Sequence, residues 1–213
     1  MQRLIEGVHK FQTDQFGNYR KLFRKLSQEG QNPHTLFITC SDSRVLAELI
    51  TQSKPGDLFV VKNVGNIVPP AGVTGDTNST AAAIEFAVEN LRVSDIVICG
   101  HSQCGAISAL LGQTRVGDDL PHLRDWLKLA APVLETLKKD YAHLKLPSEI
   151  ETAAAEENVL FGLDNLHSYQ CVQKRLADGT LRLHAWFFTI ATAELFAFDP
   201  ESRQFVPLLN DQV

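Results

Sequence analysis

The chain has 213 residues, of which 44% are hydrophobic and 21% charged, a composition ordinary for a globular protein with one sizeable core. Its formal net charge is -5 and its pI about 5.8, so it lacks the basic footprint of a nucleic-acid-binding protein. The longest apolar runs fall well short of the roughly 18–20 residues that a membrane span needs, and the first residues lack the apolar core of a signal peptide. We therefore expect a single domain over residues 1–213, a cytoplasmic location, and partners that include neither nucleic acid nor a membrane.

The first part of the chain predicts helices and then short strands. Apolar residues at helical spacing, beginning with Leu4, Ile5 and Val8, predict a helical region that ends between Gly30 and Pro33. Short apolar runs then predict buried strands, written TLFIT (35–39), DLFVVK (57–62) and DIVICG (95–100). Between the second and third strands lie a long Gly- and Pro-rich loop (63–79) and a helix (79–91) capped by Asn78 or Ser79.

The second half of the chain predicts mostly helix and then a hairpin. Helices are expected at 105–112, 120–137 and 148–176, the last opened by Ser148, and 181–199 reads as two strands joined near Ala191 and Thr192. Strands that alternate with helices predict an α/β fold with a mainly parallel central sheet, helices on both faces and an antiparallel edge strand. In such sheets, ligands gather at the carboxyl ends of the strands.

Two unusual motifs follow predicted strands. Cys40 ends the first strand, and His101 and Cys104 form an H-x-x-C pair after the third. Two sulfurs and one imidazole suit zinc, and a site with three protein ligands leaves a position for a water whose pKa the metal lowers. Asp42 and Arg44 lie close to Cys40, where the acid can orient a metal-bound group or become a fourth ligand, and the guanidinium can hold the acid.

Plainer interpretations exist for each part. A buried cysteine at a strand end usually only packs, which is the interpretation we favour for Cys99 and Cys171. An isolated H-x-x-C is a weak signal, and an Asp-x-Arg pair is usually a surface ion pair. The joint pattern is more specific because all three proposed ligands follow predicted strands.

The motifs CSDSR (40–44) and GHSQCGA (100–106) resemble those of the β-class carbonic anhydrases, in the bacterial, cyanobacterial and plant-type branch. The blocks PGDLFVVKNVGNIVPP (55–70) and LRVSDIVICGHSQCGA (91–106) extend the resemblance, which covers nearly the whole chain. It implies a lyase that reversibly hydrates CO2 to bicarbonate and a proton, by attack of a zinc-bound hydroxide. It also implies a homodimer or larger homo-oligomer, in which residues 1–34 form a helical arm that packs on the partner subunit.

The resemblance also assigns roles to individual residues. Cys40, His101 and Cys104 would bind Zn²⁺, Asp42 would accept a hydrogen bond from the zinc hydroxide, and Arg44 would anchor Asp42. The substrate would be contacted by four further residues, namely Gln31, Phe59, Phe86 and the backbone N–H of Gly105.

The chain departs from the family pattern at three places. Phe86 stands where tyrosine is usual, Lys62 where arginine is usual, and the loop 71–80 is slightly longer. We expect these changes to cluster on one face of the pocket and to alter turnover or its pH profile. Some relatives bind a second, inhibitory bicarbonate beside a tryptophan and an arginine, and the matching residues here, Phe37 and Lys62, predict no such site.

Two alternative functions stay open on the sequence. One is a zinc-stabilised relative with weak or altered activity that works mainly through assembly. The other keeps the metal and changes the substrate to carbonyl sulfide or carbon disulfide. The sequence does not decide whether the protein associates with carboxysomes.

Overall fold

The computed structural model describes residues 1–73, 77–117 and 119–208. The helices are α1 (Gln2–Lys10), α2 (Phe16–Glu29), α3 (Ala47–Thr51), α4 (Ser79–Glu85), α5 (Gly105–Leu110), α6 (Pro121–Leu127), α7 (Pro132–Asp140), α8 (Pro147–Leu166) and α9 (Gln170–Ala177). The strands are β1 (Thr35–Cys40), β2 (Leu58–Asn63), β3 (Asp95–His101), β4 (Arg182–Thr189), β5 (Glu194–Asp199) and β6 (Gln204–Pro207).

The six strands form one mixed sheet in the order β2-β1-β3-β4-β5-β6. The first four of these are parallel, and β5 and β6 add an antiparallel edge. The predicted fold class is therefore confirmed, as is the hairpin between β4 and β5. β6 was not predicted, because its four residues carry too little pattern to be recognised.

The alternating side chains of the buried strands supply two cores. Leu36 and Ile38 of β1 face one side, where they pack with residues of α4, α8 and α9. Phe37 and Val97 face the other side, which α3 covers in part. A third cluster gathers α5, α6, α7 and the start of α8 around the carboxyl ends of the strands. The central strands are buried on both faces, as parallel strands of an α/β sheet require.

Three helix predictions were wrong in detail. The helix expected at 120–137 is interrupted by a 3₁₀ turn at Lys128–Ala130 and continues as α7 to Asp140. The helix expected at 148–176 is two helices, because Tyr169 adopts an extended backbone (φ -83°, ψ 121°) before α9. It also begins at Pro147 with Leu146 as its cap, so Ser148 does not open it. The helix expected at 79–91 has the predicted Asn78 cap, whose side chain accepts from Ala81 N at 3.0 Å, but it changes to a π-turn at Phe86–Asn90.

Residues 63–70 form a loop that takes its shape from α8 and the residues just after it. Asn158 Nδ2 donates to Gly65 O at 2.9 Å, and Asn165 Nδ2 donates to Val68 O at 2.8 Å. The Tyr169 hydroxyl donates to Pro69 O at 2.8 Å. Long-range side chains therefore satisfy carbonyls that this loop cannot satisfy by itself.

The helices α1 and α2, with the π-turn Phe11–Gln15 between them, form an arm that carries no buried residue. Several of its apolar side chains are exposed to solvent, with Leu4 69%, Val8 55% and Phe11 42% exposed. Within the described residues, no helix is both long and apolar enough to cross a membrane.

Candidate metal centre and active site

The fold brings the predicted ligands together at one edge of the sheet. β1 and β3 are parallel neighbours, with Thr39 in register with Cys99. Cys40 and His101 are the last residues of these strands, and Cys104 directly precedes α5. Neighbouring strand ends thus set the three side chains side by side, as the sequence predicts.

The ligand atoms of Cys40, His101 and Cys104 lie within 4.8 Å of one another, and the two sulfurs are 3.9 Å apart. All three residues are buried, with exposures of 6%, 0% and 1%. His101 Nδ1 lies 2.9 Å from Ser102 O, a contact that fixes the proton on Nδ1 and leaves a lone pair on Nε2. Nε2 is buried and has no hydrogen-bond partner among the described residues, so the cluster fits a metal ion.

The contact between the two cysteines shifts their pKa values in opposite directions. Hydrogen bonding from the Cys104 thiol lowers the pKa of Cys40 to about 4, and the same contact raises the pKa of Cys104. Cys99 has a different environment, because complete burial raises its pKa to about 12 and keeps it a thiol. This is the packing role expected for Cys99.

Asp42 and Arg44 form a bidentate pair beside the ligands. Arg44 Nε donates to Asp42 Oδ1 at 2.9 Å, and a terminal nitrogen donates to Oδ2 at 2.8 Å. Arg44 also donates to Gln103 O at 3.1 Å, which ties the loop after β1 to the turn before Cys104. The Arg44 guanidinium holds the pKa of Asp42 well below its usual range. Asp42 Oδ2 lies 4.0 Å from His101 Nε2, so an ionised carboxylate faces the cluster.

Lys62 holds the same loop from the other side. Its Nζ donates to Val45 O at 2.7 Å and to Asp42 O at 3.1 Å. Lys62 and Phe86 were expected on one face of the pocket, and within one chain their side chains lie apart. Lys62 reaches the loop that carries Asp42, whereas the Phe86 ring lies 5.8 Å from Phe59, near the opposite ends of the strands. Of the third departure, the loop 71–80, residues 74–76 lie outside the described residues.

Comparisons with known proteins agree with this site. A family model described as carbonic anhydrase matches residues 35–195. The chain is 45% identical over 206 residues to a carbonic anhydrase of Synechocystis sp., covering 97% of this chain and 74% of that one. It is 43% identical over 208 residues to carbonic anhydrase 1 of Escherichia coli O157:H7, covering 98% and 92%. The solved structure of the β-carbonic anhydrase CcaA superposes with a TM-score of 0.92 at 43% identity, covering 98% of this chain and 99% of that one.

The chain belongs to the β-class carbonic anhydrase family. It has carbonic anhydrase activity, and its Cys-His-Cys cluster is typical of zinc binding in this class. A more distant structure, that of tetrameric β-carbonic anhydrases from Sordaria macrospora, superposes with a TM-score of 0.74 at 32% identity, covering 92% of each chain.

Three of the expected substrate contacts lie away from the metal cluster of this carbonic anhydrase. Phe59 is in register with Leu36, whereas Asn63 is in register with Cys40, and four residues of strand span about 13 Å. Gln31 is exposed and precedes the amino end of β1, opposite Cys40. A surface groove of about 940 Å³ runs beside Phe86, and no metal ligand lines it. Of the four substrate residues, only Gly105 lies at the cluster, directly after Cys104.

Sequence reasoning missed the residue that contacts Cys40 from the loop after β2. The backbone N–H of Gly65 donates to Cys40 Sγ at 3.4 Å. Gly65 has φ +79°, and a Cβ there would lie 2.9 Å from Ala106 Cβ, so glycine is required. The glycine content of the loop indicates a special turn, but nothing in the spacing identifies Cys40 as its target.

Proposed function

We propose that this carbonic anhydrase hydrates CO2 with a zinc ion held by Cys40, His101 and Cys104. The observation that carries the proposal is the buried cluster of two sulfurs and the unpartnered His101 Nε2, a donor set that suits zinc. When bound to three protein ligands, zinc lowers the pKa of a water in its open position and so supplies a nucleophile at neutral pH.

Asp42, Arg44 and Gly105 are proposed to act around that open position. The ionised Asp42 carboxylate only accepts hydrogen bonds, so it orients the attacking group and leaves a lone pair for CO2. Arg44 keeps Asp42 ionised and fixes its direction through two parallel hydrogen bonds. The Gly105 N–H, beside Cys104, is proposed to stabilise negative charge as it develops on the substrate oxygen.

Metal content and activity test the zinc proposal together. The Cys104→Ser variant removes one proposed ligand, and Cys171→Ser is its control, since Cys171 packs against a different hydrophobic cluster from the one that contains Cys40 and Cys104. We expect about one zinc per chain in the parent and in Cys171→Ser, and loss of zinc and of CO2 hydration in Cys104→Ser. Purified parent enzyme that hydrates CO2 without zinc would contradict the proposal.

We further propose that Gln31, Phe59 and Phe86 serve the metal cluster of a second copy of the chain. The support is geometric, because these residues lie toward the amino ends of the strands, about 13 Å or more along the strand from Cys40. The exposed apolar face of residues 1–34 is proposed as the arm that packs on that copy. The relatives from Sordaria macrospora are described as tetrameric.

Mixed oligomers test this arrangement. Cys104→Ser damages the metal cluster and Phe59→Ala damages the proposed wall, so each variant alone is expected to lose most activity. If Phe59 acts on another copy, one of the two sites in each mixed dimer has both an intact metal cluster and an intact Phe59. Mixing the two variants then restores activity at half of the sites in the mixed dimers. If Phe59 acts within its own chain, mixing restores nothing.

The cytoplasmic location stays a prediction, with carboxysome association undecided. A fluorescent fusion expressed in the source cell distinguishes the two, since a cytoplasmic enzyme gives diffuse signal and a carboxysomal one gives discrete foci.

A further inference from the structure

The peptide unit between Val64 and Gly65 is held at both of its polar ends. Its N–H donates to Cys40 Sγ at 3.4 Å, and its carbonyl accepts from Trp126 Nε1 at 2.7 Å. The unit is trans and planar, so its C=O and N–H point in opposite directions and rotate together. Fixing the Val64 oxygen therefore fixes the direction in which the Gly65 N–H points.

The next peptide unit is also held. Gly65 O accepts from Asn158 Nδ2 at 2.9 Å, and Asn158 is 2% exposed. Gly65 lies in the left-handed region, at φ +79° and ψ 18°, between these two anchored carbonyls. Two side chains from α6 and α8, 62 and 93 residues away from the carbonyls they bind, thus determine the conformation of one glycine beside the metal cluster.

We propose that Trp126 and Asn158 are positioning residues that hold the Gly65 N–H on the metal-ligating sulfur of Cys40. A donor aimed at a thiolate draws charge from the sulfur, so less of that charge reaches the metal and the bound water is more acidic. Partners of this kind orient a metal ligand and tune its metal, and their loss typically costs about 10- to 100-fold in metal affinity or activity. The inference rests on the proposed zinc site.

The Trp126→Phe variant tests the proposal, because it removes the indole N–H and keeps an aromatic ring on α6. Trp186→Phe is the matched control, since Trp186 lies on β4 against Phe37. We expect zinc to leave the Trp126→Phe holoenzyme about 10-fold faster than the parent when a chelator is added, because a sulfur without its donor is less well oriented and is protonated more readily. The midpoint of its pH profile for CO2 hydration should also move to higher pH, and the control should match the parent in both.

A second measurement reads the hydrogen bond directly. In protein loaded with ¹¹³Cd, a scalar coupling between the metal and the Gly65 amide proton reports the N–H to sulfur contact. We expect the coupling in the parent and in Trp186→Phe, and its loss or reduction in Trp126→Phe and in Asn158→Leu. Circular dichroism on the same samples identifies any variant that has not folded. If Asn158→Leu does not fold, the coupling in Trp126→Phe alone tests the proposal, since the Trp126 ring is only half-buried and its replacement disturbs the core less.

The outcomes separate this inference from the proposed function. A parent that binds no zinc refutes the proposed function. A parent that binds zinc and hydrates CO2, with a Trp126→Phe variant that keeps parental zinc release, pH midpoint and coupling, overturns the inference alone.

Discussion

Lys62 holds the loop that carries Asp42 by donating hydrogen bonds to two of its backbone carbonyls. Its ammonium satisfies the carbonyls of Asp42 and Val45, and a compact point donor suits two carbonyls better than the planar fork of arginine does. The substitution of lysine for the arginine usual in the family thus has a local structural use. That Phe37 and Lys62 form no second bicarbonate site stays a prediction.

The Lys62→Met variant is expected to lower kcat/KM several-fold while zinc content stays parental. It leaves two loop carbonyls without their donor, which also costs about 1 kcal/mol of unfolding free energy. Stopped-flow hydration and thermal melting measure both effects, with the exposed Lys54→Met as control. Parental rates and melting temperature in Lys62→Met would show that the loop does not depend on this ammonium.

Glu156 on α8 is a half-buried acid outside the active site. Desolvation, and then the neighbouring charge of Glu157, raise its pKa to about 7 from the ordinary value of 4.5. A raised folded-state pKa means that the contribution to stability is fully present below the unfolded pKa. It is lost as pH rises from about 4.5 through about 7, because the carboxylate must then ionise in a half-buried, poorly solvated position.

We therefore expect Glu156→Gln to be more stable than the parent at pH 8.5, by about 1–3 kcal/mol, and similar to it near pH 4.5. Denaturant unfolding at the two pH values measures the difference. Glu201→Gln, at an exposed turn, is the control and should show no pH-dependent gain. An equal effect of Glu156→Gln at both pH values would argue against an ionisation origin.

At the level of residues, the metal ligands were predictable and their supports were not. Cys40, His101 and Cys104 each follow or end a short apolar strand, and parallel neighbours place such ends together. The Trp126 to Val64 contact joins positions 62 residues apart with no periodic pattern between them. The contact becomes visible only in the folded structure, where α6 packs against the loop that contains Val64.

The contact between α8 and β3 depends on a missing side chain. A Cβ on Gly100 would lie 2.7 Å from Val159 Cγ2 and 3.4 Å from Ala155 O. Gly100 directly precedes the ligand His101, so the close approach of helix and strand is set one residue from the metal cluster. The sequence predicted both elements, but not the distance between them, because glycine in a strand only hints at a close neighbour.

The Gly100→Ala variant is expected to lose about 1–3 kcal/mol of unfolding free energy, since the added methyl overpacks this contact. Combining it with Val159→Ala should recover part of the loss, so the two changes should be non-additive by more than about 0.5 kcal/mol. Gly17→Ala, where no atom lies within 4 Å of an added Cβ, is the control and should not destabilise. Additive losses would place the strain elsewhere.

Element boundaries were predictable where the chain carries a local signal. Asn78 caps α4 as expected because its side chain accepts from the backbone N–H of Ala81, the third residue of the helix. The break between α8 and α9 has no such signal, since Tyr169 leaves the helix to place its hydroxyl on Pro69 O. A tertiary contact overrides local helical preference at that point.

At the scale of the whole molecule, the arm of residues 1–34 carries a row of exposed apolar side chains. Leu4, Val8 and Phe11 lie on one side of α1 and its continuation and are more than 40% exposed. Burying such a face against another copy is favourable by about 25 cal/mol per Å² of apolar area. The Val8→Glu variant is therefore expected to shift the oligomer toward smaller species.

Light scattering after size exclusion measures this shift. Lys10→Glu places the same carboxylate on the opposite side of α1 and is expected to keep the parental mass. If Val8→Glu also keeps the parental mass, the arm does not form the main contact between copies.

The dependence of residues 63–70 on α8 has a consequence for the order of folding. β1, β2 and β3 can pair through their own backbones, but the loop acquires partners for Gly65, Val68 and Pro69 only when residues 147–169 have docked. A newly made chain must therefore complete roughly three-quarters of its length before the glycine beside Cys40 is in place. We expect β1, β2 and β3 to pair before residues 147–169 dock, and the ability to capture metal to follow that docking.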